Sequence, residues 1–461
     1  MNNTTDLTRG DPKKLILRFF FPLLITNTLQ QLYSFADTAI VGKGLGDDPL
    51  AAVGNMSSLC FLIIGFSMGL SNGFSILIAQ NFGKKDNNAL RRTVAHSIEL
   101  AVVIAILLTT FSAVCLKSIL LLLQTDQAIL GDSLRYGHIL FGGLSATIAY
   151  NMCAGVLRAL GDSKTPLKAI VISSVMNITL NALFIFVFHW GVSGAAAATI
   201  ISQFFSGAFC FRKLSKLEIL KLTKEDFRPD GDMYAKLLKN GVPMALMNSI
   251  TAVGCMVVQY FVNGMGVAFT SAYSACSRYL NMFMQPAATA GAAMSSFTGQ
   301  NYGAGRFDRI KSGLKVCLGI SAVTYVVFGS MMVFLPRQLA GLILNGDSQI
   351  GYAAQFLPIC GVMIFSVDML FVIRNGVQGM GFPFVPMLSG IAEMVLRIGA
   401  MFLLIDTLGF RATAAAEVFA WVGALIINAA AFAVIFIREK NRTENKELHK
   451  HALSAVQQGS A

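Results

Sequence analysis

Charge is what this chain has least of. Only 13% of its 461 residues are charged, 55% are hydrophobic, and the mean hydropathy is +0.63. Soluble domains carry about a quarter charged residues, and a chain this poor in them cannot clothe a water-soluble globule. A cytosolic enzyme, a nucleic-acid binder and a disordered polymer are therefore excluded, even though 36 basic against 24 acidic residues leave a formal charge of +12. The eight cysteines (Cys60, Cys115, Cys153, Cys210, Cys255, Cys276, Cys317 and Cys360) stand singly and form no CxxC pair. That argues against a disulfide framework and against a zinc site, and leaves them as small apolar packing residues. No GxxxxGK followed by Ser or Thr occurs, so direct drive by ATP is excluded. An intramembrane prenyl or acyl transferase needs clustered acids or histidines near one membrane face. No DDxxD is present, and His96, His138 and His189 lie far apart, so the chain reads as a non-enzyme without cofactor. Asn2 to Asp11 is polar, and the apolar run that follows is too long for a signal-peptide core, so no cleavable signal is expected.

Apolar stretches of about 20 residues, each enough to cross a bilayer as a helix, fill the rest. Twelve are predicted: 15–42, 50–80, 93–116, 131–158, 167–188 and 195–215, then 237–261, 271–299, 310–335, 350–378, 388–407 and 412–437. With both termini inside, the inward connections and ends hold 28 Lys or Arg and the outward ones five: Lys43, Lys117, Arg135, Arg337 and Arg411. This asymmetry obeys the positive-inside rule and sets the orientation. The tail 438–461 is polar and basic and reads as flexible.

The chain also repeats itself. Pro22 answers to Pro243, Gly46 to Gly266, and Gln80-Asn81-Phe82-Gly83 to Gln300-Asn301-Tyr302-Gly303. Gly161 and Pro166 match Gly381 and Pro386, and Gly191 before an Ala run matches Gly409, all at offsets of 218 to 221 residues. Six spans per half give both halves the same orientation, hence parallel repeats about an axis along the membrane normal with a cavity between them. The expected organisation is an all-α membrane protein of two six-helix lobes. These are an N-terminal segment 1–14, a lobe 15–215, a cytoplasmic linker 216–236, a second lobe 237–437 and the tail. Paired lobes suit alternating access.

Three segments carry a resemblance: Asp37-Thr38-Ala39-Ile40-Val41-Gly42, the Gln-Asn-aromatic-Gly turn after the second span, and Gly155-Val156-Leu157-Arg158-Ala159-Leu160-Gly161-Asp162 after the fourth. Together with the span count and repeat they resemble the multidrug and toxic compound extrusion (MATE) family over residues 12 to 437. The resemblance implies a secondary exporter of amphipathic, often cationic, organic compounds in exchange for H+ or Na+. Its expected setting is the plasma (inner) membrane, as a monomer. A lipid-linked precursor flippase of the same superfamily is the nearest rival; two further spans and more cavity arginines, which such flippases often have, are missing here.

Ionisable groups inside a span cost about 2.5–3.5 kcal/mol on insertion scales, so each invites a functional reading. Asp37, late in the first span, has no Lys or Arg three or four residues away and suits a group that binds and releases a proton, or accepts Na+ in its place. Capping of a broken helix or wetting by the outer vestibule is the alternative. Asn177 and Asn181 share one helix face; with Asn151 and Thr199 they add neutral oxygens of the kind a hard cation prefers. Interhelical hydrogen bonding is the competing role for such asparagines. The family's amino-lobe cation site matches Asp37, Asn151, Asn177, Asn181 and Thr199, except that a second Asp usually stands where Asn181 is, which favours a proton over Na+. In the second lobe Asp368 matches the acid of a carboxy-lobe Na+ site, whose seventh-span Glu is here Thr251. Glu393 and Arg397, four apart, read as an ion pair, while Arg278, Arg374, Glu417 and Glu99 are left to pair across helices. Gly65, Gly69 and Gly73 form a face for close helix approach. Candidate cavity residues are Tyr150, Asn248, Gln259, Tyr260, Tyr273 and Gln285.

Overall fold

The computed structural model describes residues 5–122 and 125–459, and the side chains of all of these except 47, 58 and 446–459. Among the described residues there is no strand. Helices α1 (Pro12–Leu45), α2 (Asp47–Lys84) and α3 (Asn87–Leu122) are followed by the shorter α4 (Gln127–Gly142) and α5 (Leu144–Ala159), then α6 (Lys164–Ala182) and α7 (Gly191–Leu214). After two short 3-10 turns come α8 (Gly231–Met265), α9 (Val267–Gly303), α10 (Phe307–Thr324), α11 (Ser330–Phe334) and α12 (Pro336–Gly341). The chain closes with α13 (Asp347–Gly379), α14 (Phe384–Leu408) and α15 (Arg411–Gly459).

Ten helices among the described residues are long and apolar enough to cross a membrane, and the pair α4 and α5, bent by 45°, makes an eleventh if taken as one span. The single fourth span expected from sequence is therefore broken, at the adjacent Gly142 and Gly143, where no side chain stiffens the backbone. The expected eighth span falls within α9, which is long but carries Ser, Thr, Asn, Gln and Arg278 along its length and does not meet the apolar criterion. Helices α6 and α10 pass into π-helical turns, Leu183–Val187 and Tyr325–Gly329. The tail differs from expectation: α15 continues to Gly459, because Glu, Lys, Ala and Gln are good helix formers and Lys440 pairs with Glu444 one turn on at 3.6 Å. Residues 460–461 lie outside the described residues.

Two compact units divide the chain. The first holds residues 17–82 and 86–256, with its core in two clusters of buried side chains, around Leu70, Phe74 and Leu157 and around Met56, Leu116 and Phe141. Here the glycine face of α2 meets the first half of α8. A Cβ on Gly69 would lie 2.5 Å from the Ala245 Cα, and one on Gly73 2.4 Å from the Gly241 Cα, so only glycine allows this approach. Asn248 Nδ2 donates to the Gly65 carbonyl at 3.0 Å, closing the same contact.

The segment before α8 is fastened to α3 by Arg92–Asp230 at 2.9 Å and Arg91–Asp226 at 3.5 Å. Burial works against ionised Asp226, but hydrogen bonds from the Thr223 amide and hydroxyl and the charge of Arg91 outweigh it, holding the carboxyl below its usual range. Asp230 is likewise lowered, mainly by the Met233 amide.

The second unit holds residues 7–16, 83–85 and 257–461, with its core between α9, α13 and α15. Residues 7–10 are gripped there: Arg309 donates to the carbonyls of Gly10 (2.7 Å) and Leu7 (3.0 Å), and Gln300 Oε1 accepts from the Leu7 amide at 2.8 Å. Asn301 completes the grip by donating to the Leu7 carbonyl at 3.2 Å. The repeated Gln-Asn-aromatic-Gly motif thus has a structural task in this unit. In the first unit its counterpart Asn81 bonds Thr93 at 2.8 Å.

Candidate functional site

Three helices of the first unit bring a short ladder of polar side chains together. Thr199 of α7 donates to the Ala195 carbonyl at 3.1 Å and accepts from Asn177 Nδ2 at 3.4 Å. Asn177 Oδ1 accepts from Asn181 Nδ2 at 2.9 Å, one turn along α6. The same Asn181 amide nitrogen donates to Asp37 Oδ1 of α1. Both asparagines are 0% exposed, and α6 leaves its regular helix two residues past Asn181. Wide π-helical turns of this kind recur at functional positions.

The electrostatics are one-sided. No cation pairs with Asp37 among the described residues, and the tyrosines Tyr33 and Tyr136 lie within reach of its charge. Tyr33 of α1 stands beside Thr199 of α7, at the far end of the ladder from Asp37. Asn181 gives both amide hydrogens away, while its own Oδ1 is buried with no partner. An ionised carboxylate can only accept, but a protonated one must also donate. The ladder as found therefore fits the ionised form, and the orphaned Asn181 Oδ1 is an acceptor in reserve. A small hard cation would find one carboxylate and a few neutral oxygens; no group of three His, Cys, Asp or Glu able to hold a metal exists among the described residues.

The expected site residues do not all converge. Asn151 of α5 is buried, its Nδ2 has no partner, and no hydrogen bond joins it to the ladder. Tyr150 is packed into the α5 and α7 core, and Asn248 is engaged with Gly65. In the second unit, Gln259 bonds Asn263 at 2.7 Å, Tyr260 is 76% exposed, and the Gln285 carbonyl accepts from Thr289. Asp368 of α13 is 1% exposed with both carboxylate oxygens unpartnered among the described residues.

The second unit also contains a buried charge chain that links three helices. Arg374 of α13 bonds Glu393 of α14 at 2.7 Å; Glu393 bonds Arg397 at 3.1 Å; Arg397 bonds Glu417 of α15 at 3.0 Å. Tyr273 of α9 reaches Glu417 at 3.5 Å. Arg278 is exposed, and Glu99 is taken by His96 and by the Tyr234 hydroxyl at 2.6 Å. Sequence spacing named the Glu393–Arg397 pair but not its extension.

Long apolar helices with an uncompensated carboxylate among amides define a multi-pass membrane protein of transporter type. The comparisons place it more closely. The chain belongs to the MatE family, whose model matches it twice, over residues 22–183 and 243–403, the two matches starting at the repeat-related Pro22 and Pro243. It is similar to "Probable multidrug resistance protein YoeA" of Bacillus subtilis (strain 168), 30% identical over 74% of this chain and 75% of that one. "Probable multidrug resistance protein YpnP" of the same organism is 30% identical over 77% of this chain and 82% of its own. In fold it matches "Crystal structure of MATE in the bent conformation" with a TM-score of 0.90 at 24% identity, covering 96% of this chain and 99% of that one.

Proposed function

We propose that the chain is a secondary multidrug efflux antiporter that exports amphipathic, often cationic, organic compounds in exchange for a small cation bound at Asp37. Twelve spans are proposed, with α9 as the eighth and the broken α4–α5 pair as the fourth, in two six-helix lobes. Residues 15–215 and 237–437 form the lobes, and the linker 216–236 and both termini face the cytoplasm. The relatives' names support multidrug resistance, and the basic residues of the inward segments support the orientation. The protein works as a monomer in the plasma membrane.

The observation that carries the reading is the Asp37–Asn181 contact with no basic side chain beside it. When a proton arrives on Asp37, the acid needs an acceptor. Turning the Asn181 amide over presents its reserve Oδ1 to Asp37 and withdraws the hydrogen that Asn177 was accepting. One proton on α1 thus rewires α6 and, through Thr199, α7. The same chain makes a helix near Asp37 sensitive to occupancy, and α1 has a weak point at Pro22, whose ring removes one internal hydrogen bond. Asn151 and Asp368 are proposed as further acceptors of the coupled ion.

Coupling to a proton is favoured over Na+, since a single carboxylate attracts a hard cation less than a pair does. Energetics add a constraint. One charge moving through 100 mV is worth about 2.3 kcal/mol, and each tenfold gradient about 1.4 kcal/mol. Exporting a monovalent cation against one proton moves no net charge, so the chemical gradient of protons must drive it. Efflux of a fluorescent organic cation from vesicles, with pH and Na+ gradients imposed separately, tests this. Dye movement driven by the pH gradient alone is expected; dependence on Na+ at fixed pH removes proton coupling, and indifference to both gradients removes the antiporter.

A further inference from the structure

Away from the Asp37 ladder, the first unit contains a groove of about 1110 Å³ between α3 on one side and α4, α5 and α7 on the other. Along α3 it runs from Val94 to Thr110, about 24 Å at the rise of an α-helix. That exceeds one leaflet, half of the roughly 30 Å hydrocarbon layer. Its walls are almost wholly apolar, and the rim residues Val102, Ile106 and Phe211 are exposed, which for spanning helices means exposed to hydrocarbon. The Gly142–Gly143 break in α4–α5 belongs to the wall, Gly142 lining it with no side chain.

The two ends differ. At the Thr110 end only hydroxyls occur. At the Val94 end the groove meets the segment after α7, where Ser215 and exposed Lys221 line it. Residues 211–224 hold five basic side chains (Arg212, Lys213, Lys216, Lys221 and Lys224) against a single acid, Glu218. A long apolar trough closed at one end by a lysine and a hydroxyl within a basic segment has the charge and shape of a phospholipid site. It has the wrong charge for an amphipathic cation, which Lys221 would repel.

We propose that this groove is a binding site for one anionic phospholipid of the leaflet on the Lys221 side. An acyl chain lies along α3 between Val94 and Thr110, and the phosphate meets Lys221 and Ser215. None of the residues lining the groove is among the ion-coupling residues, so neither claim depends on the other.

Native mass spectrometry of the full chain, released from detergent after exchange into phosphatidylglycerol or phosphatidylcholine, reads the occupancy. Wild type is expected to retain one phosphatidylglycerol and little phosphatidylcholine. Lys221→Glu, on an exposed side chain, should lower phosphatidylglycerol retention by about tenfold. Ala149→Trp, which fills the trough, should remove retention of both lipids, and Lys117→Glu, at the other end of α3, should change nothing. Thermal unfolding of each variant separates loss of the site from loss of the fold, and Lys221→Glu keeps the test alive if Ala149→Trp does not fold. Equal retention of the two lipids, unchanged retention in Lys221→Glu, or displacement of the lipid by an organic cation would each overturn the proposal.

Discussion

Half-buried Asp37 and the buried pair Glu393 and Glu417 sit in this protein under opposite conditions. In the first unit Asp37 has amide and hydroxyl company only. In the second unit Glu393 and Glu417 alternate with Arg374 and Arg397, so that each carboxylate faces a guanidinium. A charge chain that neutralises itself has no use for an incoming ion and works as a fastener between α13, α14 and α15. A lone carboxylate held by a reversible amide answers to any proton or cation that reaches it. Carboxylates paired with guanidinium groups thus act as a staple in the second unit, whereas those without one, Asp37 in the first unit and Asp368 in the second, are left for the proposed switch.

The comparison can be broken first at the staple. Arg397→Met leaves buried Glu417 with no guanidinium beside it, and removing one partner of a buried pair costs about 3–5 kcal/mol. A large fall in thermal unfolding temperature is expected, with much of it returned when Glu417→Leu is added, because Arg374–Glu393 then remains as a complete pair. Unfolding of both variants in one detergent checks this; an unchanged midpoint for the single variant would deny the staple its role. Next in size is the glycine seam. Gly73→Leu forces α2 away from Gly241 and should cost about 1–3 kcal/mol, again read by thermal unfolding.

Asn181→Asp sharpens the contrast from the other side. It supplies a second carboxylate beside Asp37, and Na+-driven efflux should rise by about fivefold or more over wild type at fixed pH. No response to Na+ would show that the carboxylate count does not set the ion. The smallest effect lies in the linker. Asp226 and Asp230 are held below their unfolded values, so their contribution is present above about pH 4 and fades as pH falls through the lower native values. Hydrogen-exchange protection across residues 218–230, corrected for the intrinsic rate at each pH, should therefore be high near neutrality and fall in acid, with the protection of α13 unaffected over the same range.

How far these features could be seen beforehand follows from their distance in sequence. Asn177 and Asn181 were readable because one helical turn separates them, and Asp37 because no cation stands near it along its own helix. Tyr33, four residues before Asp37, carries the same helical signal but was not among the residues named from sequence. Tyr136 gives none, since α4 reaches it only through the fold. Likewise the Glu393–Arg397 pair is periodic, whereas Arg374 and Glu417 find their partners across helices, which no spacing encodes. The adjacent Gly142 and Gly143 were the available warning that the fourth span breaks. The helical tail was misread because charge suggests solvent and says little about helix propensity.

The central claim is that occupancy of Asp37 drives export. Its most direct test is dye efflux from vesicles under an imposed pH gradient, comparing wild type with Asp37→Asn at equal protein and with matched helical content. The account predicts that the variant loses about a hundredfold or more of the gradient-driven rate while keeping its fold. A variant that exports at the wild-type rate, with the same dependence on pH, would contradict it.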